Sequence, residues 1–157
     1  MTELSALYND RIIELAAAIP PARRLENPDA AASAHSKLCG STIAVELALD
    51  GDTVADYAQT VKACMLGQAS ASVVATHIVG SSVAEIREVA DVMRRMLKEN
   101  GPPPDGKWSD LAVLQPVREV KGRHASTLLA FEAILRALAA RDAGERPNAT
   151  AKETASA

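Results

Sequence analysis

Two cysteines are the side chains of this chain best suited to chemistry. Cys39 stands in Leu38-Cys39-Gly40-Ser41, and Cys64 opens Cys64-Met65-Leu66-Gly67-Gln68-Ala69-Ser70-Ala71-Ser72. Two cysteines do not make a disulfide scaffold, and in a reducing compartment such residues more often serve metal or sulfur chemistry. Cys64 falls where an alternating, strand-like pattern (residues 53–62) gives way to a helical one. The first turn of a helix has free N–H groups and the positive end of the dipole, which favour a thiolate. The small residues after Cys64 allow another backbone to come close. Ser70 and Ser72 read as capping and packing residues, because neither lies in a nucleophile-elbow pattern.

The elements that must position these thiols follow from the pattern around them. Ser41 to Leu49 alternates Ile43, Val45, Leu47 and Leu49 on one face, as a half-buried strand does. Asp50-Gly51-Asp52 predicts a hairpin turn. Thr53 to Lys62 then returns antiparallel, with Val54, Tyr57 and Val61 among its larger residues. Cys39 precedes the first strand and Cys64 follows the second. A hairpin brings those two points to the same end of the sheet, although 25 residues separate them.

Helices are expected elsewhere. One spans residues 2–18, capped by Thr2 and stopped by Pro20-Pro21. Arg23 to Pro28 reads as extended or turn, and Ala30 to Ala34 as helix or edge strand. A helix over 64–79 is expected to close on Gly80. A second starts at Ser82 with Glu85 as its capping-box partner and runs to Asn100-Gly101. Pro102 to Gly106 is a stiff linker, Ser109 to Leu114 a short helix, and Pro116 to Gly122 a turn or loop. The last helix begins near His124 and ends near Ala140, with Leu128, Leu129, Ile134, Leu135 and Leu138 inward. Residues 1–141 read as one domain and 142–157 as a disordered tail rich in Ala, Thr, Glu and Asn.

Composition narrows the function. The chain has 157 residues, enough for one domain with a real core. A net charge of −3 without a long basic run argues against nucleic acid as a partner. One Trp, two Tyr and one Phe leave little for base stacking. No apolar run approaches membrane-spanning length and no signal peptide is visible, so a cytoplasmic protein is expected.

Four stretches together resemble the U-type iron–sulfur cluster assembly scaffolds, the IscU/SufU/NifU N-terminal family. They are Asn27-Pro28; Cys39-Gly40-Ser41 before a hydrophobic strand; Ala63-Cys64 leading into an Ala/Ser-rich helix; and Pro116-Val117-Arg118 followed by His124-Ala125-Ser126-Thr127-Leu128. The resemblance implies an α+β fold, a three-stranded antiparallel sheet with helices packed on it and the C-terminal helices dominant. It implies a non-enzymatic scaffold that takes sulfur from a cysteine desulfurase, holds iron, zinc or a transient [2Fe–2S] cluster, and passes it to recipient or carrier proteins.

The chain departs from the family at half of the expected ligands. Cys39 and Cys64 match the first two family cysteines. The family Asp falls on Ser41 and the third Cys on Ser126, and a neutral hydroxyl is a poor ligand for iron or zinc. Histidine is the natural replacement. His124 lies two residues before Ser126, giving Cys39, Cys64 and His124 as the candidate set, with the fourth donor left to His35, a carboxylate such as Glu119, water or a partner's side chain. His77 is read as structural or exposed. Lys62, Arg118, Lys121 and Arg123 form a candidate basic rim. Two other readings stand beside the scaffold: a persulfide acceptor working with a desulfurase through one thiol, and a degenerate regulatory paralogue.

Overall fold

The computed structural model describes residues 9–38, 40–145 and 147. The expected tail from Arg146 on lies outside these, apart from Pro147, as do the first seven residues of the expected N-terminal helix. Helix α1 spans Asp10–Ala17, and its N-cap is Asn9, whose side chain accepts the Ile12 N–H at 3.0 Å. The helix signal was right, but its described start is set by Asn9.

Three strands follow: β1 (Ala30–His35), β2 (Thr42–Asp50) and β3 (Thr53–Lys62), antiparallel in the order β1-β2-β3. The alanine-rich stretch is therefore an edge strand. Its alanines have a packing reason. Ala30, Ala32 and Ala34 lie opposite Leu47, Val45 and Ile43, so they share the helix-bearing face, and their small side chains let the last helix lie close over β1 and β2. On the opposite face Glu46 is buried rather than solvated. It accepts the Leu25 N–H at 2.8 Å and pairs with Arg24 at 3.3 Å, so the extended Arg23–Leu25 segment covers the back of the sheet.

The β2–β3 turn is tight, with Asp50 paired to Thr53 and Gly51 at φ 64°. That left-handed backbone costs glycine nothing and suits the twist of a hairpin. At the other end of the sheet Thr42 pairs with both His35 and Lys62. The β1–β2 connection and the start of the next helix thus meet at one end.

Helix α2 (Met65–His77) is buried from Leu66 to Val74 on nearly every side. It packs against α1, the last helix, β3 and a 3-10 segment. Its left-handed glycine does come at Gly80, with φ 92°, but the Gly80 N–H bonds the Val54 carbonyl at 2.8 Å rather than closing the helix. Helix α3 (Val83–Lys98) is capped by Ser82, which accepts the Glu85 N–H at 3.0 Å. Only half of the capping box forms. The Glu85 carboxylate instead accepts from Trp108 Nε1 at 2.8 Å and pairs with Lys107 at 3.3 Å. His77 stacks edge-on against the same Trp108.

The stretch expected to hold a short helix and then a loop is one 3-10 run, Gly106–Glu119, followed by a short turn of the same kind at Lys121–Arg123. Trp108, Leu111, Leu114 and Val117 are its buried residues. A spacing of three stacks side chains on one face of a helix with three residues per turn. Helix α4 (His124–Asp142) closes the fold, with Leu129, Ile134 and Leu138 buried and Leu128 partly so. Leu135, expected inward, is 36 % exposed. Among the described residues no helix is long and apolar enough to cross a membrane.

Candidate functional site

Cys64 is the N-cap of α2. Its backbone is extended (φ −66°, ψ 171°), and its carbonyl accepts the Gln68 N–H at 2.9 Å. The thiol is partly exposed and is not needed as a cap acceptor. It reaches across to α4, where Cys64 Sγ lies 3.6 Å from Ser126 Oγ. Position 126, reached in the sequence only through a gapless match of the last helix, is therefore the one that faces Cys64.

Two features hold the helices in this contact. The first is the absence of a side chain at Gly67. A Cβ there would lie 3.0 Å from the Ser126 carbonyl oxygen and 2.9 Å from the Ala63 Cβ. The second is the anchoring of the start of α4. Ser126 Oγ and Thr127 Oγ1 both donate to the Arg123 carbonyl, at 3.2 and 2.8 Å. His124 Nε2 lies 3.0 Å from the Val117 carbonyl and 3.2 Å from that of Arg118. Carbonyls only accept, so Nε2 carries the proton and Nδ1 keeps the lone pair. His124 is 8 % exposed. The ring thus pins α4 onto the 3-10 segment and retains one nitrogen able to act as a ligand. A metal-bound imidazole commonly donates its other N–H to a carbonyl in this way.

The other candidates fall differently. Cys39 lies outside the described residues. Its neighbours Leu38 and Gly40 belong to the β1–β2 loop, which is closed by the Ser36 N–H on the Ser41 carbonyl at 2.8 Å. Leu38 is 77 % exposed, whereas Ser41 is buried. His35 is exposed at the end of β1, and Glu119 is exposed at the end of the 3-10 segment. Within the basic rim, Arg118 Nη2 donates to the Gly101 carbonyl at 3.2 Å and so is spent on the fold. Lys62 and Lys121 are exposed. Ser70 and Ser72 are buried in α2, as packing residues are. Among the described residues, no group of three or more His, Cys, Asp and Glu side chains is placed to hold a metal ion.

Sequence reasoning named Gly67 among the small residues after Cys64 that let another backbone come close, but nothing in the sequence says which of them does; the structure sets Gly67 against the Ser126 carbonyl.

The comparisons with known proteins agree with this geometry. The model of the NifU-like N terminal domain matches residues 7–139. The fold resembles that of a nitrogen-fixing NifU-like protein (N-terminal) from Brucella abortus, with 46% identity, 90% of this chain and 98% of that one covered, and a TM-score of 0.87. It also resembles a putative iron–sulfur cluster assembly scaffold protein for the SUF system from Fervidobacterium islandicum AW-1, at 20% identity over 84% of this chain and 96% of that one, with a TM-score of 0.76. No curated protein matches the chain significantly. The family model spans most of the chain and the cysteine-bearing elements stand in the order that the resemblance requires. The chain belongs to the NifU-like N-terminal domain family.

Proposed function

We propose that this protein is an iron–sulfur cluster assembly scaffold with a reduced ligand set. It holds iron, zinc or a nascent [2Fe–2S] cluster through Cys39 and Cys64, with His124 Nδ1 as the third donor. The observation that carries this reading is the contact between Cys64 Sγ and Ser126 Oγ at 3.6 Å. It supports position 126 as part of the site, filled here by a neutral hydroxyl. Two thiolates and an imidazole bring less negative charge than three thiolates and a carboxylate, so cargo is held loosely and released readily. Because protons compete for thiolate and imidazole alike, retention weakens as pH falls. The protein works in the cytoplasm, receives sulfur from a cysteine desulfurase and passes its cargo to recipient or carrier proteins, without turnover of its own.

The partly exposed Cys64, beside a hydroxyl rather than a second thiol, also favours a second reading: a persulfide acceptor that carries sulfur on one thiol. A regulatory paralogue that binds the assembly machinery without cargo is the third. Anaerobic purification with absorption spectra and metal analysis, beside Cys39→Ala and Cys64→Ala, separates the three. Metal or cluster lost in both variants supports the scaffold. A colourless protein that accepts labelled sulfur supports the acceptor, and neither signal supports the paralogue.

A further inference from the structure

We propose that Gly67 is a positioning residue for the Cys64 site, resting on the reading of Cys64 as the sulfur that holds cargo. The functional atom belongs to Cys64, but its partner across the site is set by how closely two helix starts approach. Gly67 lies on the first turn of α2, three residues after Cys64. Position 126 is the third residue of α4. At this crossing the backbone of α4 touches α2 where Gly67 has only hydrogen, since a Cβ would sit 3.0 Å from the Ser126 carbonyl oxygen. The same crossing leaves the two side chains 3.6 Å apart. Ala63 closes the other side at 2.9 Å, so a methyl group at 67 presses on both neighbours and pushes the start of α4 away by a few tenths of an ångström. The start of α4 does not yield independently, because His124 ties it to the Val117 and Arg118 carbonyls, while the Ser126 and Thr127 hydroxyls on the Arg123 carbonyl stiffen its own first turn. A shift there moves whatever group stands at position 126 away from Cys64. Packing alone would make Gly67 a stability residue; its place one turn from Cys64 makes it a determinant of site geometry.

The test measures approach rather than activity. In a Cys39→Ala background, Ser126→Cys places a second thiol opposite Cys64. Oxidised glutathione then takes two electrons from the pair and leaves as two reduced molecules, and the disulfide between positions 64 and 126 is followed by peptide mass spectrometry. With Gly67 in place the cross-link forms readily. Adding Gly67→Ala slows it by about tenfold or more, since intramolecular rates depend steeply on how closely the reacting atoms are held. The melting temperature shows that the chain remains folded. An equal cross-linking rate with and without Gly67→Ala overturns the proposal. If that variant does not fold, adding Ala63→Gly removes the 2.9 Å contact and keeps the one to Ser126. Slow cross-linking in the rescued chain supports the proposal, whereas failure to fold even then assigns Gly67 to packing and overturns it. The readout needs no metal, so absence of zinc binding by the parent protein counts against the scaffold reading and leaves this one standing.

Discussion

The two ends of the sheet are fastened by different chemistry. At the hairpin end, α4 finishes among charges. Arg141 pairs with Asp52 at 3.4 Å and with Asp142 at 3.0 Å, and Arg87 of α3 pairs with Asp142 at 2.6 Å. The two arginines hold the Asp142 carboxyl below the usual carboxylate range, Arg87 contributing most. At the Cys64 end the first turn of the same helix is held by hydrogen bonds: a thiol against a hydroxyl, two hydroxyls on one carbonyl and an imidazole on two others. One end is a clasp. At the other, among the described residues, no ion pair stands between Cys64 and α4.

This contrast can be broken by substitution. Gly51→Val loads the hairpin end, where φ is 64°. It is expected to cost about 1–3 kcal/mol, the usual range for forcing a side chain into a sparsely populated backbone region. Thermal melting should show the loss while zinc affinity of the remaining folded protein is unchanged. An unaltered melting temperature would contradict the turn assignment. Next in size is His124→Ala at the opposite end. If Nδ1 is a ligand, zinc affinity falls about tenfold or more, and removing the imidazole also frees two carbonyls in the interior, so stability drops as well. A variant that binds zinc as the parent does at every pH removes His124 from the ligand set and moves the persulfide reading ahead.

The smallest effect lies at the clamp joining α3 to the 3-10 segment. Burial pushes the Glu85 carboxyl up, but hydrogen bonds from Trp108, Lys107 and Ser81 outweigh it, and its pKa ends below the ordinary value. A carboxylate lowered in the folded state stabilises above its unfolded pKa, and that contribution fades as pH falls through the folded one. Glu85→Gln should therefore be slightly less stable than the parent at neutral pH, by a few tenths of a kcal/mol for so exposed a pair. The gap should close as acid titrates below about pH 4.3. Trp108 fluorescence on melting reads this directly, and a gap that widens in acid would reverse the assignment.

How much was legible in the sequence depended on whether one period decided the element. The hairpin was readable because alternation and Asp50-Gly51-Asp52 both point one way, and the register bears this out apart from a shift between Ala48 and Leu49. α3 was readable from Ser82 and its apolar spacing. The 3-10 run was misread because Pro116 suggested a break, while the every-third pattern of Trp108, Leu111, Leu114 and Val117 passed unnoticed. α2 is buried nearly all round, so no single face could announce what it packs against. The match of Ser126 to the site came from resemblance, and only the crossing of α2 and α4 gives it a physical cause. Glu46 and His124 illustrate a different limit: each is polar, each is buried, and each is held by partners far away in sequence.

The central claim is that Ser126, 3.6 Å from Cys64 Sγ, puts a neutral hydroxyl where an anionic ligand would strengthen the site. Anaerobic zinc titration of the parent chain beside Ser126→Cys, both fully reduced, tests it most directly. The account predicts markedly tighter binding in the variant, by about tenfold or more, because a thiolate replaces a hydroxyl at a metal that prefers sulfur. Equal affinity in the two proteins would contradict it.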